Sequence, residues 1–292
     1  MKLIETLING LSMGSTYAMI ALGYTMVYGI AKMLNFAHGD IIMVGGYMIF
    51  VTLSLTGSSI VGLLAAVVLC VILGVTIEKV AYKPLRGASP LAVLITAIGV
   101  SYLLQNLGLL FFGADTKSFK SIVAMEALQF AEGQLTVSGE AVVTIIVSVV
   151  IMLVLTGFVK YTKAGRAMVA VSEDRGAAQL MGINVNGTIA LTFAIGSALA
   201  AIAGALLCSS YPSLSPYVGS MPGIKAFVAA VFGGIGSIPG AMIGGILLGV
   251  IENLSKAYIS SQLSDAIVFG VLIVVLLVKP TGILGKNIQE KV

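Results

Sequence analysis

Two stretches of this chain carry side chains or backbone that could do chemistry within an otherwise apolar sequence. The first is AKMLNFAHGD, residues 31–40, which holds Lys32, Asn35, Asp40 and the only histidine, His38. Polar and ionisable groups at membrane depth are costly and face protein or a water-filled cavity. At depth, these groups would line a pathway; outside the bilayer they would be an ordinary turn, and the residues allow both. One imidazole with no partner nucleophile and no metal-ligand set does not make a catalytic centre. The second stretch is PGIKAFVAAVFGGIGSIPGAMIGG, residues 222–245, where the chemistry is that of the backbone. Gly233, Gly234 and Gly236, followed by Pro239, should interrupt a helix. Unwound chain in a membrane is tolerated only where it is buried or lines a cavity, and free helix ends there can meet a substrate's charges. Asn35, His38, Asp40, Gly233, Gly234 and Gly236 are therefore the candidate pathway residues. The two stretches lie in opposite halves of the chain, which hints at an internal repeat.

The elements that must position them are set by composition. Hydrophobic residues make up 58% of 292 positions and charged residues 10%, and mean hydropathy is +1.08. A soluble domain carries about 25% charged residues. The fold class expected is an all-α polytopic transmembrane bundle, one domain over 1–292, in which about 20 apolar residues form each crossing. Candidate spans are 6–30, 41–57, 60–80, 91–112, 141–160, 188–208, 239–258 and 263–279, with 222–236 a partial helix followed by extended chain. The count is eight or nine, with broken or re-entrant segments. The first run continues too far for a signal-peptide core and is expected to stay as a span. Thirty-five glycines suit close helix packing in lipid: Gly10 with Gly14, Gly196 with Ala200 and Gly204, Gly236 with Gly240 and Gly244, and Gly245 with Gly249 repeat at four-residue spacing. Cys70 and Cys208 fall in or beside apolar runs and read as buried packing residues.

Basic residues set the orientation. Lys79, Lys83 and Arg86, then Lys160, Lys163, Arg166 and Arg175, then Lys279, Lys286 and Lys291 belong on the cytoplasmic side. The segment 113–140, with Asp115, Glu126, Glu132 and Glu140 against Lys117 and Lys120, faces outside. Parity then requires 209–237 to cross inward and the N-terminus to lie outside. The net charge of +4 reflects these loops. No basic stripe with interleaved aromatics argues for nucleic acid.

The segment 161–187, YTKAGRAMVAVSEDRGAAQLMGINVNG, is long for a connection. Residues 167–181 could form about four helical turns, stopped by Gly182. It reads either as an amphipathic interfacial helix or as a docking knob for a cytoplasmic partner. Gly176-Ala177-Ala178, with Gly182 four residues beyond, resembles the coupling loop of ABC importer permeases, in which Glu-Ala-Ala precedes a glycine; here Gly176 replaces the Glu, and Glu173 and Asp174 stand nearby. The resemblance implies an ATPase-coupling role for Glu173, Asp174, Arg175, Gly176, Ala177, Ala178 and Gly182.

GSTYAMIALGYTMVYGI, LNFAHGD, LMGINV, FGGIGSIPGAMIGG and the terminal PTGILG, in that order over nearly the whole chain, resemble the LivH family of branched-chain amino acid ABC permeases. That resemblance implies import of Leu, Ile or Val across the bacterial plasma (inner) membrane by a multi-pass subunit. It implies two cytoplasmic ABC ATPase subunits, a second homologous permease and an extracytoplasmic amino-acid-binding protein, with membrane lipid as solvent and no nucleic acid. No cofactor in this chain, no metal and no enzymatic activity are expected. GILGKN, residues 282–287, lacks the spacing and the Ser/Thr of a phosphate-binding loop. The alternatives are a permease for another small amino acid, urea or an amide, or a self-sufficient carrier using Asp40, Glu252 or Asp265. Of these, Glu252 and Asp265 sit near expected span ends, where solvated roles are ordinary.

Overall fold

Long apolar runs punctuated by Ser, Thr, Asp and Asn become capped helices, because a short polar side chain can accept one of the free N–H groups at a helix start. A computed structural model describes residues 2–130 and 135–285; Glu132, Lys286, Lys291 and the end of GILGKN lie outside the described residues. The helices are α1 (Lys2–Ala31), α2 (His38–Thr56), α3 (Ser59–Ile77), α4 (Pro90–Phe112), α5 (Gly139–Tyr161), α6 (Lys163–Glu173), α7 (Arg175–Leu180), α8 (Val185–Ser210), α9 (Ser220–Gly233), α10 (Ile238–Tyr258) and α11 (Ser264–Val278). Ser58, Ser89, Ser138, Thr162, Asp174, Asn184 and Ser237 each cap the helix that follows. A π turn (Glu78–Tyr82) and a 3-10 turn (Lys83–Leu85) extend α3.

Among the described residues six helices are long and apolar enough to cross a membrane: α2, α3 with its extension, α4, α5, α8 and α10. Helix α1 has 30 residues, 18 of them buried. It runs through the centre of the bundle, so its surroundings are protein rather than lipid. Helices α9 and α11, with 14 and 15 residues, are short for a span. The all-α polytopic class holds, and α9 is the partial helix expected near 222–236. The outward faces of α3, α4 and α5 carry the exposed Leu, Ile and Val side chains, as surfaces solvated by lipid tails do. Cys70 and Cys208 are free and buried.

The two ends of the bundle differ. At one end Arg86 pairs with Glu78 and bonds Asn186, and Arg175 donates to the Ala31 carbonyl. Ile283 and Leu284 N–H groups donate to the Phe232 and Gly233 carbonyls at 2.9 Å. This end gathers the basic turns, the ones the positive-inside rule assigns to the cytoplasm. At the other end β1 (Lys117–Ser118) pairs antiparallel with β4 (Ser213–Leu214), and β2 (Leu128–Phe130) with β3 (Leu135–Val137). Helix α1 begins at this outer end, where Met13 meets Asn253 and Tyr211.

The small-residue seams are contacts. Helices α1 and α10 cross so closely that a Cβ on Gly249 would lie 2.2 Å from the Gly14 nitrogen, and one on Gly245 2.4 Å from Ala18 Cα. Gly249→Val is therefore expected to lower the thermal transition of the detergent-purified chain, at a cost of about 3 kcal/mol for overpacking. Gly270→Val, where a Cβ meets nothing within 4 Å, should leave it unmoved. Equal transitions for both variants would contradict this crossing.

One expectation is corrected. Residues 167–181 do not form a single helix; the chain breaks at Asp174 (φ −153°, ψ 114°), separating α6 from α7. The Asp174 carboxylate accepts the Ala177 N–H at 2.9 Å, and this local bond competes with helix continuation.

Candidate functional site

After Ala31 the chain leaves the helix at Lys32, whose φ of +54° is the single positive value among described non-glycine residues. It then doubles back into the bundle. A Cβ on Gly23 would lie 2.4 Å from His38 Nε2, so α2 starts beside Gly23, about 12 Å back along α1 from its end. The AKMLNFAHGD segment is thus a broken, re-entrant connection and not a surface turn. Asn35, His38 and Asp40 are all buried, at 3%, 1% and 2% exposure.

Each of the three has a different environment. The Asn35 side-chain oxygen accepts the Tyr82 hydroxyl at 3.0 Å. His38 lies edge-on to Tyr24, with ring centroids 4.7 Å apart, and its Nε2 has no hydrogen-bond partner. Asp40 accepts from Gln105 Nε2 at 2.9 Å, and the same amide reaches Ser220 Oγ at 3.3 Å. Asp40 also occupies the first turn of α2, where the helix dipole favours a negative charge. Helices α2 and α9 meet there through glycine: a Cβ on Gly39 would lie 2.6 Å from the Gly219 carbonyl oxygen.

Gly233, Gly234 and Gly236 lie elsewhere. They form the tight turn between α9 and α10 at the cytoplasmic end, with φ +106° at Gly234 and +92° at Gly236, values that favour glycine. The backbone of Gly285 packs onto Gly234. Gly223, beside Gly39, and Gly233 are ten residues apart on α9, about 15 Å. The two interrupted stretches therefore share helix α9 without sharing one site.

Sequence reasoning missed a cluster on α9, α10 and α11. Lys225 Nζ lies 2.8 Å from Glu252 Oε1 and 2.7 Å from Asp265 Oδ1. Lys256 reaches the same Glu252 oxygen at 2.6 Å, and the Tyr17 hydroxyl donates to Glu252 Oε2 at 2.9 Å. Glu252 is 0% exposed and Lys225 6%. The expectation of a solvated surface role for Glu252 is overturned; Asp265, with its side chain 44% exposed, keeps contact with solvent. Two cations and two carboxylates make the cluster neutral, which is how buried charge becomes tolerable. The available signal was Lys225 itself, a lone cation in an apolar run.

At the cytoplasmic end α6 and α7 form a bracket. In α7, Ala178 is buried against the chain itself, whereas Gly176 and Ala177 are exposed. Leu180 and Met181 stand out at 90% and 81% exposure. Gly182 has φ +79°, and the Ile183 N–H closes onto the Ala178 carbonyl at 3.0 Å, the glycine stop expected there. Glu173 and Asp174 are exposed. Arg175 turns inward to the Ala31 carbonyl; burial and the neighbouring Arg86 charge lower its guanidinium's proton affinity. Among the described residues no three His, Cys, Asp or Glu side chains come together as metal ligands would.

Apolar helices of spanning length, joined by one buried polar connection and, at the basic end, by a glycine turn beside an exposed apolar knob, define a polytopic membrane protein. Residues 6–276 match the family model described as branched-chain amino acid transport system / permease component. The chain is 47% identical over 303 residues to the high-affinity branched-chain amino acid transport system permease protein LivH of Escherichia coli K12, covering 99% of this chain and 97% of that one. It is 46% identical to BraD of Pseudomonas aeruginosa, covering 99% and 98%. It is 32% identical to a probable LivH of Methanocaldococcus jannaschii, covering 91% and 88%. The chain belongs to the branched-chain amino acid transport permease family. It is accordingly a multi-pass inner-membrane transport permease and not an enzyme, and the resemblance to LivH holds along nearly its whole length.

Proposed function

We propose that this chain is the translocating subunit of an ABC importer that carries Leu, Ile or Val into the cytoplasm, driven by separate ATPase subunits. The observation that carries the reading is α7, a six-residue helix ending in the exposed apolar pair Leu180 and Met181 on the basic end of the bundle. Two large apolar side chains at such exposure on a water-facing helix are anchors for a groove in another protein. The partners are two cytoplasmic ATPases, a second homologous permease and an external binding protein for the amino acid. Movement of α6 and α7 reaches the pathway through Arg175 and the end of α1. It biases two packings of α1, α2 and α9, for which nucleotide must have different affinities. Asn35, His38 and Asp40 line the pathway, and Gly233, Gly234 and Gly236 form the hinge between α9 and α10. The bacterial relatives named for branched-chain amino acids, at 46–47% identity, support the substrate class.

The carrier reading has two buried carboxylates behind it, Asp40 and Glu252. The place of Asp40 at a helix N-terminus, with Gln105 as donor, and the pairing of Glu252 with Lys225 and Lys256 account for both without a transported ion. Affinity co-purification from membranes in mild detergent separates the readings. Recovery of ATPases and a second permease, with ATPase activity, is the expected result. A chain that elutes alone and still transports under an ion gradient overturns the importer.

A further inference from the structure

At the cytoplasmic end a cavity of about 430 Å³ opens between the end of α1, the 83–90 turn, the start of α4 and Arg175 at the start of α7, on the side away from the exposed Leu180 and Met181 of that helix's tip. Three cations line it: Lys32, Arg86 and Arg175. One carboxylate, Glu78, offsets them through its pair with Arg86. Among the described residues Lys32 and Arg175 have no salt bridge, and Arg86 Nε is buried without a partner. Part of the excess is met by the carbonyl end of α1, where Arg175 donates to Ala31 and the helix dipole adds roughly half a negative charge. About one and a half positive charges remain. Lys32 also sits in a left-handed backbone conformation at the end of α1, where glycine is the cheap choice. A lysine there spends backbone strain to place an ammonium at the cavity.

The rest of the lining is largely apolar. Leu85, Val93 and Leu94 line the cavity, and beyond it α4 continues with Leu91 and Ile95 exposed at 63% and 61% to the lipid tails. A basic, partly apolar cleft at the end of the bundle that carries the basic turns, beside a helix with exposed aliphatic side chains, matches the physical description of an anionic headgroup site.

We propose that this cavity binds a phosphate group, that of an anionic phospholipid headgroup or a free phosphate, between Lys32, Arg86 and Arg175. An occupied site ties the end of α1 and the 83–90 turn to Arg175 at the start of α7, and so sets the resting position of that short helix. The proposal concerns binding and is independent of substrate and of the ATPases.

Native mass spectrometry of the purified full-length chain in detergent tests it, with phosphatidylglycerol or phosphatidylcholine added. One retained phosphatidylglycerol, not displaced by excess phosphatidylcholine, is expected. Lys32→Gln should bind it about fivefold more weakly, Lys32→Arg should restore binding, and Lys79→Gln, on the same side but away from the cavity, should change nothing. Millimolar inorganic phosphate is the second arm. Displacement of the lipid, or a higher thermal transition in wild type and not in Lys32→Gln, identifies the phosphate itself as the determinant. Retention of the lipid against phosphate assigns the site to lipid. The proposal is overturned if phosphatidylglycerol and phosphatidylcholine are retained equally and phosphate has no effect, or if Lys32→Gln and Lys79→Gln weaken binding alike.

Discussion

Lys225→Met is expected to destabilise the folded chain by about 3 kcal/mol, because it leaves a buried carboxylate short of one of its two cations. Glu252 has no exposure of its own, so it cannot recover the loss from water. It keeps Lys256 at 2.6 Å and the Tyr17 hydroxyl at 2.9 Å, which holds the expected cost at the low end of the range for broken buried pairs. Removing the carboxylate as well should reverse most of the effect: Lys225→Met with Glu252→Met replaces charge by apolar volume, and such exchanges are often neutral or stabilising. Unfolding of the two variants and the wild type in one detergent gives the answer. A single variant as stable as wild type, or a double variant no better than the single, would show that the cluster is not the closed ion network described above.

The second large effect belongs to the knob. Leu180→Asp should abolish stable association with the ATPase subunits, costing about 2 kcal/mol or more at the contact, the range of a truncated central anchor. It should leave the thermal transition of the isolated chain in place, since Leu180 is 90% exposed and touches little of its own fold. Ala178→Trp is a different experiment: Ala178 is buried against the chain, so that change disturbs folding first. Co-purification yield against thermal transition separates them. Undiminished ATPase recovery with Leu180→Asp would remove α7 as the docking element.

The spans were legible because their signals are local. Apolar runs of spanning length and the glycine stop at Gly182 are read within a few residues of where they act. Small-residue seams were legible as surfaces but not as pairs; nothing in the sequence says that Gly249 meets Gly14. The polar character of residues 31–40 was plain, whereas its depth was not. That depth is decided by the close approaches of Gly23 to His38 and of Gly39 to Gly219, contacts between separate helices. The ion cluster escaped for the same reason, since Glu252 finds partners 27 and 235 residues away in the chain. The break at Asp174 was within reach: an aspartate ahead of small residues is a helix start as much as a helix interior.

The most direct test of the importer is uptake of labelled leucine into proteoliposomes. They would hold this chain with its co-purified partners, ATP inside and the binding protein outside. Uptake that needs ATP, is indifferent to ion gradients and falls at least tenfold with Leu180→Asp is the predicted result. Uptake by this chain alone, driven by an ion gradient and abolished by Asp40→Asn, would contradict the account.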